Sequence, residues 1–558
     1  MTRSRGRSAS ERRKKKPKKR PGAEPTAEAG TTAPAAKTKV RRPFVPFLFA
    51  LLLGSVAGVL YFVAFPGIDV WPLAFVALVP LFAGIDLLIE PRAGGISPYS
   101  TARAVTVGVV FGLVTNLGGY YWLVPFLEVF SGFPFVLCVL FAAVLCTYQG
   151  GLLAVFVWLY ARARHRGWSA LLVAPVAFGA AELVYPLLFE SYYAAHFHDL
   201  PAMIQVVDLG GPILLTLIAV AVNAAIYEVG RALVRKERVP WKGPAMAAGA
   251  LAATLIYGAV RVPMVDAAVA EAPKIAVGLV QVNMGIFAKR EDPEEGRRRH
   301  VEQSMQLARE VPELDLLVWP ESAFAWFVPE DDDGEAIRRY VMGPVRTPLL
   351  FGGLSRREVD GEERHYNTAF LVDADGRIQG SYDKTHLLAF GEHLPLGDVF
   401  PILYEWSPHS GRFTPGDHTR PVVLDGRWRI TALICYEDIL PRFTRNAVAD
   451  GDPHLLVNMT NDAWFGDTTE PWQHLALAKL RAVEHHRYLV RSTNSGVSAI
   501  VDPVGRTLGE VGVYDRGNLH ADVAMLDSWT LYQTLGNWPG WLSAAAILAL
   551  AFWKRRPV

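Results

Sequence analysis

At 558 residues the chain is too long for one ordinary domain. Half of its residues are hydrophobic and its mean hydropathy is positive at +0.20, which argues against a plain water-soluble globule. The net charge of only +2 conceals a lopsided distribution, because residues 1–42 hold fifteen Lys and Arg against three Glu.

That opening tail is rich in Pro, Ala, Ser and Lys and has almost no large apolar residues. It cannot bury enough surface to fold, so disorder is expected. A basic arm suits nucleic acid, but the apolar stretches after it favour a membrane role and call for no nucleic acid. From Pro43 there are seven such stretches, near 44–64, 71–89, 105–127, 134–160, 168–189, 211–230 and 244–260, and an eighth lies near 537–553. About 20 apolar residues cross a hydrocarbon layer about 30 Å thick. Most of the stretches qualify, with the seventh and eighth near the short limit. The first is too long for a signal-peptide core, and more spans come after it.

The loops set the orientation. With the tail inside, the inner loops carry Arg92 and Arg103, then Arg162, Arg164 and Arg166, then Arg231, Arg235, Lys236, Arg238 and Lys242, and the chain ends on Lys554-Arg555-Arg556. The outer loops near 65–70, 128–133 and 190–210 contain no Lys or Arg. This is the positive-inside pattern. Domains are expected at 43–262 (seven membrane helices), 273–527 (an extracytoplasmic domain) and 537–553 (a last span), with both termini in the cytoplasm. Glu182, within the fifth span, is a functional candidate because acids are costly there.

Cys138 and Cys146 share the fourth span, eight residues apart. Eight residues of helix rise about 12 Å, too far for a disulfide. Cys435 is left without a partner, as either a buried inert thiol or a nucleophile.

Within 273–527 short β-rich runs alternate with polar helical stretches, which predicts an α/β layered domain. Strands are expected at 274–281, 314–319, 348–353, 368–373, 428–434, 454–458 and within 488–501, and helices at 293–310 and 470–487. Several strands end on chemically capable residues: Glu321, Lys384, Cys435 and the run Asn458-Met-Thr-Asn-Asp462. Ligands gather at the carboxyl ends of strands in open α/β sheets. An acid, an amine and a thiol meeting there fit acyl transfer, with a thiol nucleophile, a carboxylate to move its proton and an ammonium to hold the oxyanion. Glu392 or Glu437 is placed to orient the lysine. Each residue also has a bland reading: Glu321 as a turn residue, Lys384 as a solvated loop lysine, Glu437 and Asp438 as first-turn acids at a helix start. The pairs His196/His198 and His485/His486 read as structural or solvated, and no metal-ligand spacing is present.

Trp319-Pro-Glu321, Lys384-x-His386-Leu-x-x-Phe390-Gly391-Glu392 and Cys435-Tyr436-Glu437 resemble the three catalytic blocks of the nitrilase (carbon–nitrogen hydrolase) superfamily. The block Asn458-Met-Thr-Asn-Asp-Ala-Trp464-Phe465-Gly466, with Gln473-His474, Arg481, Glu484, Arg487, Arg491 and Asn494, resembles its membrane-embedded branch, the apolipoprotein N-acyltransferase family. The layout of seven spans before the domain and one after it is similar. The resemblance implies a multi-pass helical bundle carrying a nitrilase-like αββα sandwich in a bacterial inner membrane, facing the periplasm. It implies Cys435 as nucleophile, Glu321 as general base, Lys384 as oxyanion stabiliser and Glu392 as the acid that positions the lysine, with Tyr436 and Glu437 as supporting residues. It implies a phospholipid acyl donor, expected to be phosphatidylethanolamine, a diacylated apolipoprotein acceptor and no cofactor or metal. Two segments depart from the family pattern, Ala389-Phe-Gly-Glu-His393 and Gln281-Val-Asn-Met-Gly-Ile286. They bear on the substrate mouth. Aromatic segments around Phe324-Ala-Trp326-Phe327, Phe400–Tyr404 with Trp406, and Trp464-Phe465 are expected either to dip into the interface and meet substrate or to cover the domain's own core. Two rivals stay open: a membrane-tethered amidohydrolase using water, and a non-catalytic membrane scaffold.

Overall fold

The structure, a computed structural model, describes residues 44–90, 99–285, 291–330, 333–388, 391–394, 397, 399–406 and 410–553, without the side chains of Leu403 and Trp406. The basic tail, Arg92, Ile286, Ala389, Phe390, the Trp406 side chain and Lys554-Arg555-Arg556 lie outside the described residues.

All eight apolar stretches are helical. The first helices are α1 (Val45–Val63), α2 (Val79–Ile89), α3 (Thr101–Gly119), α4 (Leu123–Ser131), α5 (Phe135–Gln149), α6 (Gly151–His165), α7 (Ala170–Val184), α8 (Val207–Val234) and α9 (Lys242–Glu271). Among the described residues six segments are long and apolar enough to cross a membrane: Val45–Val63, Trp71–Ile89, Thr101–Gly119, Phe135–His165, Val207–Val234 and Lys242–Glu271. Ala170–Val184 and Trp538–Phe552 are apolar but have 15 residues each.

The short members are therefore the fifth and eighth stretches. The seventh, expected near the short limit, runs for 30 residues. The cause at α7 is local: Tyr185 precedes Pro186 and is forced extended, with ψ 123°. The chain then runs irregularly from 185 to 192, and non-helical backbone at such depth is tolerated only where protein or a cavity surrounds it. The third stretch also breaks earlier than expected, at Gly119. A Cβ on Gly119 would lie 2.2 Å from the Phe65 ring, and the Gly119 carbonyl accepts from Gln473 Nε2 at 2.8 Å. The stretch resumes as α4. The fourth bends at Gly150, which crosses Gly112 so closely that a Cβ would meet the Gly112 carbonyl carbon at 2.7 Å.

The α/β part contains two six-stranded sheets. The first runs β12-β1-β2-β3-β4-β5 and the second β11-β10-β9-β8-β7-β6. The strands are β1 (Lys274–Gln281), β2 (Leu316–Val318), β3 (Leu349–Val359), β4 (Glu362–Val372), β5 (Ile378–Asp383), β6 (Val422–Leu424), β7 (Trp428–Ile434), β8 (Leu455–Thr460), β9 (Tyr488–Thr493), β10 (Ser498–Val501), β11 (Thr507–Val511) and β12 (Gly517–Ala524). The central strands β1, β2 and β3 pair in parallel, as do β7, β8 and β9. Burial on both faces explains the apolar runs within them, such as Leu316–Val318 and the start of β3. One core, including Val277, Val318, Leu371, Ile430, Val457 and Val490, draws residues from both sheets. The outer face of the first sheet packs on α10 (Pro293–Glu310), where the Trp319 indole donates to Ser304 Oγ at 2.8 Å. The outer face of the second packs on α11 (Pro441–Gly451) and α12 (Glu470–His485).

Helix α12 joins the two halves of the molecule. Leu475, Ala478 and Ala482 face the sheet, while Leu477, Leu480 and Val483 enter the core of the membrane helices. Polar contacts reinforce the seam: Trp122 Nε1 donates to Gln473 Oε1 at 3.2 Å and Tyr436 Oη to the Leu188 carbonyl at 2.8 Å. Asp208 on α8 accepts from Tyr257 Oη, Arg261 Nε and His486 Nε2, each at 2.9 Å. The last helix, α13 (Trp538–Phe552), packs on α7.

Candidate active site

Three strand ends build the site. Glu321 follows β2 and Lys384 follows β5. Cys435 is the first residue after β7. The backbone holds each in place. Lys384 N donates to the Asn367 carbonyl at 2.8 Å, and its own carbonyl accepts from Gly416 N at 2.9 Å. Cys435 sits at φ +54°, a left-handed conformation costly for a side chain with a Cβ, and Ser322 beside Glu321 sits at φ +53°. Such strain persists only where the surroundings enforce it. Here Asn458 Nδ2 holds the Cys435 carbonyl at 3.1 Å and the Leu433 carbonyl at 3.1 Å.

The side chains converge. Lys384 Nζ is 2.7 Å from Glu392 Oε2 and 3.8 Å from Glu321 Oε1, and the lysine is 1% exposed. Asn367 Nδ2 donates to Glu321 Oε1 at 2.8 Å and to Glu392 Oε1 at 2.9 Å, spacing the two acids. Leu388 N donates to Glu392 Oε2 at 2.8 Å. Burial works against the Lys384 ammonium, but Glu392, Cys435 and Glu321 outweigh it and hold the amine charged, well above its usual range. Burial also opposes the Glu392 carboxylate, yet Lys384 and the Leu388 N–H pull its pKa down. Burial first, and then the Glu321 carboxylate, push the Cys435 thiol well above its ordinary pKa, while Lys384 and the Thr460 hydroxyl pull the other way.

Glu437 takes a different part from the one expected for a partner of the lysine. Its Oε1 accepts from Tyr382 Oη at 2.8 Å and from Thr385 N and His386 N at 2.9 Å, and its Oε2 accepts from Ile434 N at 2.8 Å. It pins the loop after β5 to the end of β7 and so fixes Lys384 relative to Cys435. Burial pushes its pKa up to about 7, against Lys384 and these donors. Asp438 stands in the first turn of the short helix Cys435–Ile439, as expected of a helix-start acid. It is fully buried, 2.7 Å from both Arg491 Nη1 and His474 Nε2. Arg491 also donates to Asn458 Oδ1 at 2.7 Å and to Asp462 Oδ2 at 2.8 Å. This charged group lies under the nucleophile, and Asn458 links the two.

An open cavity is lined by Cys435, with about 810 Å³ of empty space counting the solvent at its mouth. Its wall is shared by the membrane helices and the α/β part: Tyr61, Tyr120, Trp122 and Phe189 on one side, Tyr436 and Phe465 on the other. The irregular segment after α7 supplies Phe189, Glu190 and Ser191. A second space of about 320 Å³, which shares Tyr61, Phe65 and Ser191 with the first, is lined by Glu182. Glu182 Oε1 accepts from Tyr193 N at 2.8 Å.

The aromatic candidates separate. Phe465 lines the cavity and stacks on Phe126, with centroids 5.2 Å apart. Trp464 packs edge-on against Phe130 at 5.9 Å. Trp326 is 41% exposed, next to a buried Phe324. Among the described residues of the neighbouring segment, Phe400 and Ile402 are exposed. The histidines are buried parts of the frame: His196 faces the Tyr193 and Tyr61 carbonyls, and His486 pairs with Asp208. Sequence reasoning missed Asn367, Thr460, Glu190 and Glu470. Only Thr460 carried a signal, lying inside the 458–466 block at the end of β8.

Two six-stranded sheets behind a set of long apolar helices describe a multi-pass membrane protein that carries an α/β domain. The family model "Carbon-nitrogen hydrolase" matches residues 276–529, and "Apolipoprotein N-acyltransferase N-terminal domain" matches residues 57–225. A Geobacter metallireducens protein named apolipoprotein N-acyltransferase is 30% identical over 518 residues, covering 90% of this chain and 95% of that one. One of the same name from Rhodopseudomonas palustris is 29% identical, covering 91% and 95%. Among solved structures, a Nesterenkonia AN1 amidase of the nitrilase superfamily is 22% identical over 46% of this chain and 93% of its own, with a TM-score of 0.34. The chain belongs to the apolipoprotein N-acyltransferase family.

Proposed function

We propose that this protein transfers an acyl chain from a phospholipid, with phosphatidylethanolamine as the expected donor, to the N-terminal α-amino group of a diacylglyceryl-cysteine on an apolipoprotein, through a Cys435 thioester. The observation that carries this reading is Cys435 at the head of an apolar cavity walled jointly by membrane helices, beside the Glu321–Lys384–Glu392 group. As the sulfur attacks the ester carbonyl, its proton passes to Glu321 and the oxyanion forms against the Lys384 ammonium. Collapse expels the lysophospholipid alkoxide, which takes the proton back. The α-amine then attacks the thioester. The C–N bond forms, the C–S bond breaks, and the amine proton returns to the sulfur through Glu321. The cycle is ping-pong. Glu392 positions the lysine, Glu437 fixes the loop that carries it, and Phe465 contributes to the acyl wall. The charge pattern of the loops supports a catalytic domain on the periplasmic side, with both termini in the cytoplasm.

The test is purified protein in vesicles with labelled phosphatidylethanolamine and a diacylated lipopeptide. Label on the peptide N-terminus, together with an acyl-enzyme mass on Cys435, is the expected result. Release of fatty acid to water alone would indicate a hydrolase, and inertness a scaffold. A reporter placing the β3–β4 hairpin in the cytoplasm would overturn the orientation.

A further inference from the structure

The cavity in front of Cys435 carries acidic side chains that the transfer mechanism does not use. Glu470, in the first turn of α12, lines it and is 9% exposed. Its Oε2 has no hydrogen-bond partner. Glu470 Oε1 stands 3.9 Å from His474 Nδ1.

The groups facing Glu470 are Asp462, His474, Arg491 and Asp438. They hold two cations, His474 and Arg491, against three carboxylates: Asp438, Asp462 and Glu470. Asp438 and Asp462 each lie within 3.3 Å of His474 and within 2.8 Å of Arg491. Both cations are thus taken by the two aspartates, and Glu470 is the acid in excess. A buried carboxylate without a counter-charge responds in one of two ways: it keeps its proton or it meets a cation. Burial, then Asp462, push Glu470 up to about 8, so the side chain is poised between these two states near neutral pH.

Glu190 is a second acid of the same cavity, with Tyr192 as a side-chain hydrogen-bond partner. Burial raises its pKa against Tyr192 and Arg481, and the Arg481 Nη2 is already bound to Glu484 Oε1 at 2.5 Å. Aromatic rings of the same lining, Trp122 and Tyr436 among them, also favour a cation.

We propose that Glu470 and Glu190 form a binding subsite for a primary ammonium group brought into the cavity by a lipid substrate. This rests on the acyl-transfer reading above. Such an ammonium has two sources there, the ethanolamine headgroup of the donor and the α-amino group of the acceptor. In either case the carboxylates supply the counter-charge that the apolar wall cannot, and they hold the amine-bearing end of the lipid close to Cys435.

The experiment follows acyl-enzyme formation and discharge by intact mass, using reconstituted wild-type protein, Glu470→Gln and Glu190→Gln. Gln is isosteric, and having two separate variants guards against a folding defect in one. Acyl-enzyme is formed from vesicles of phosphatidylethanolamine or of phosphatidylglycerol with the same chains. A fall of fivefold or more in the ratio of the two formation rates, in either variant, assigns the subsite to the donor headgroup. Preformed acyl-enzyme is then discharged with a diacylated lipopeptide. A rise of fivefold or more in the lipopeptide KM assigns the subsite to the acceptor amine. If wild-type forms acyl-enzyme and both variants match its donor ratio and its lipopeptide KM within twofold, the subsite is overturned while the function stands. If wild-type forms no acyl-enzyme from either lipid, both readings fall.

Discussion

On the proposed mechanism the thiol, the acid and the amine do separable work at the level of single residues, and each can be removed alone. Cys435→Ala is expected to abolish transfer, by about 10³-fold or more in rate, with the acyl-enzyme mass absent. Glu392→Gln leaves Lys384 without the partner 2.7 Å away. The expected loss is about 10- to 100-fold in kcat with little change in KM, because the lysine acts on the oxyanion rather than on the bound ester. His474 predicts a pH dependence of stability. Burial and Arg491 oppose its charge, but Asp438 and Asp462 push its pKa up to about 10. A folded-state value above the unfolded one of about 6.5 means the contribution is complete below that pH and is lost as pH rises toward 10. Tm should fall between pH 7 and 10 in wild-type protein, and less in His474→Gln. Glu321, Lys384 and Cys435 stood out in the sequence because each follows a strand within a block that resembles the nitrilase superfamily; their place after strands alone would have left them a guess. Asn367, Glu190 and Glu470 did not stand out, because a polar residue within a strand, a loop or a helix start acquires its meaning only from distant neighbours: Asn367 and Glu392 are 25 residues apart yet bonded.

Element boundaries differ from expectation where glycine and proline meet tertiary contacts. The eight apolar stretches are helical, as hydropathy predicts, but hydropathy did not reveal the stop at Pro186 or the break at Gly119, where a carbonyl is diverted to Gln473. A third such point lies in α8, where Gly210 and Gly211 leave the helical conformation and Gly211 takes φ +69°. A Cβ there would meet Asn537 Oδ1 at 2.3 Å and the Tyr532 ring at 2.6 Å. Gly211→Ala should cost about 1–3 kcal/mol through backbone strain and overpacking. The check is a Tm drop of several degrees, with wild-type Tm restored by the revertant. The α/β strands were readable for a related reason: β2, β7 and β8 are short, largely apolar runs, while their pairing order depends on helices that no local pattern encodes.

At the scale of the whole molecule the membrane helices and the α/β part are not separable modules. Helix α12 buries one face in each, and Asp208 receives donors from α9 and from His486 beyond α12. The fragment 273–527 expressed alone would expose Leu477, Leu480 and Val483. It should aggregate or remain with detergent, which gel filtration of the fragment would reveal.

The shared wall of the cavity has one more consequence. A site whose wall is built partly from Tyr61, Tyr120 and Phe189, and whose substrates are membrane lipids on the proposed function, meets them in two dimensions rather than three. Its working concentration is then a mole fraction within the bilayer. Diluting the donor with an inert lipid at constant total donor per volume should slow turnover in proportion, while diluting the whole suspension with buffer should leave the rate per enzyme unchanged.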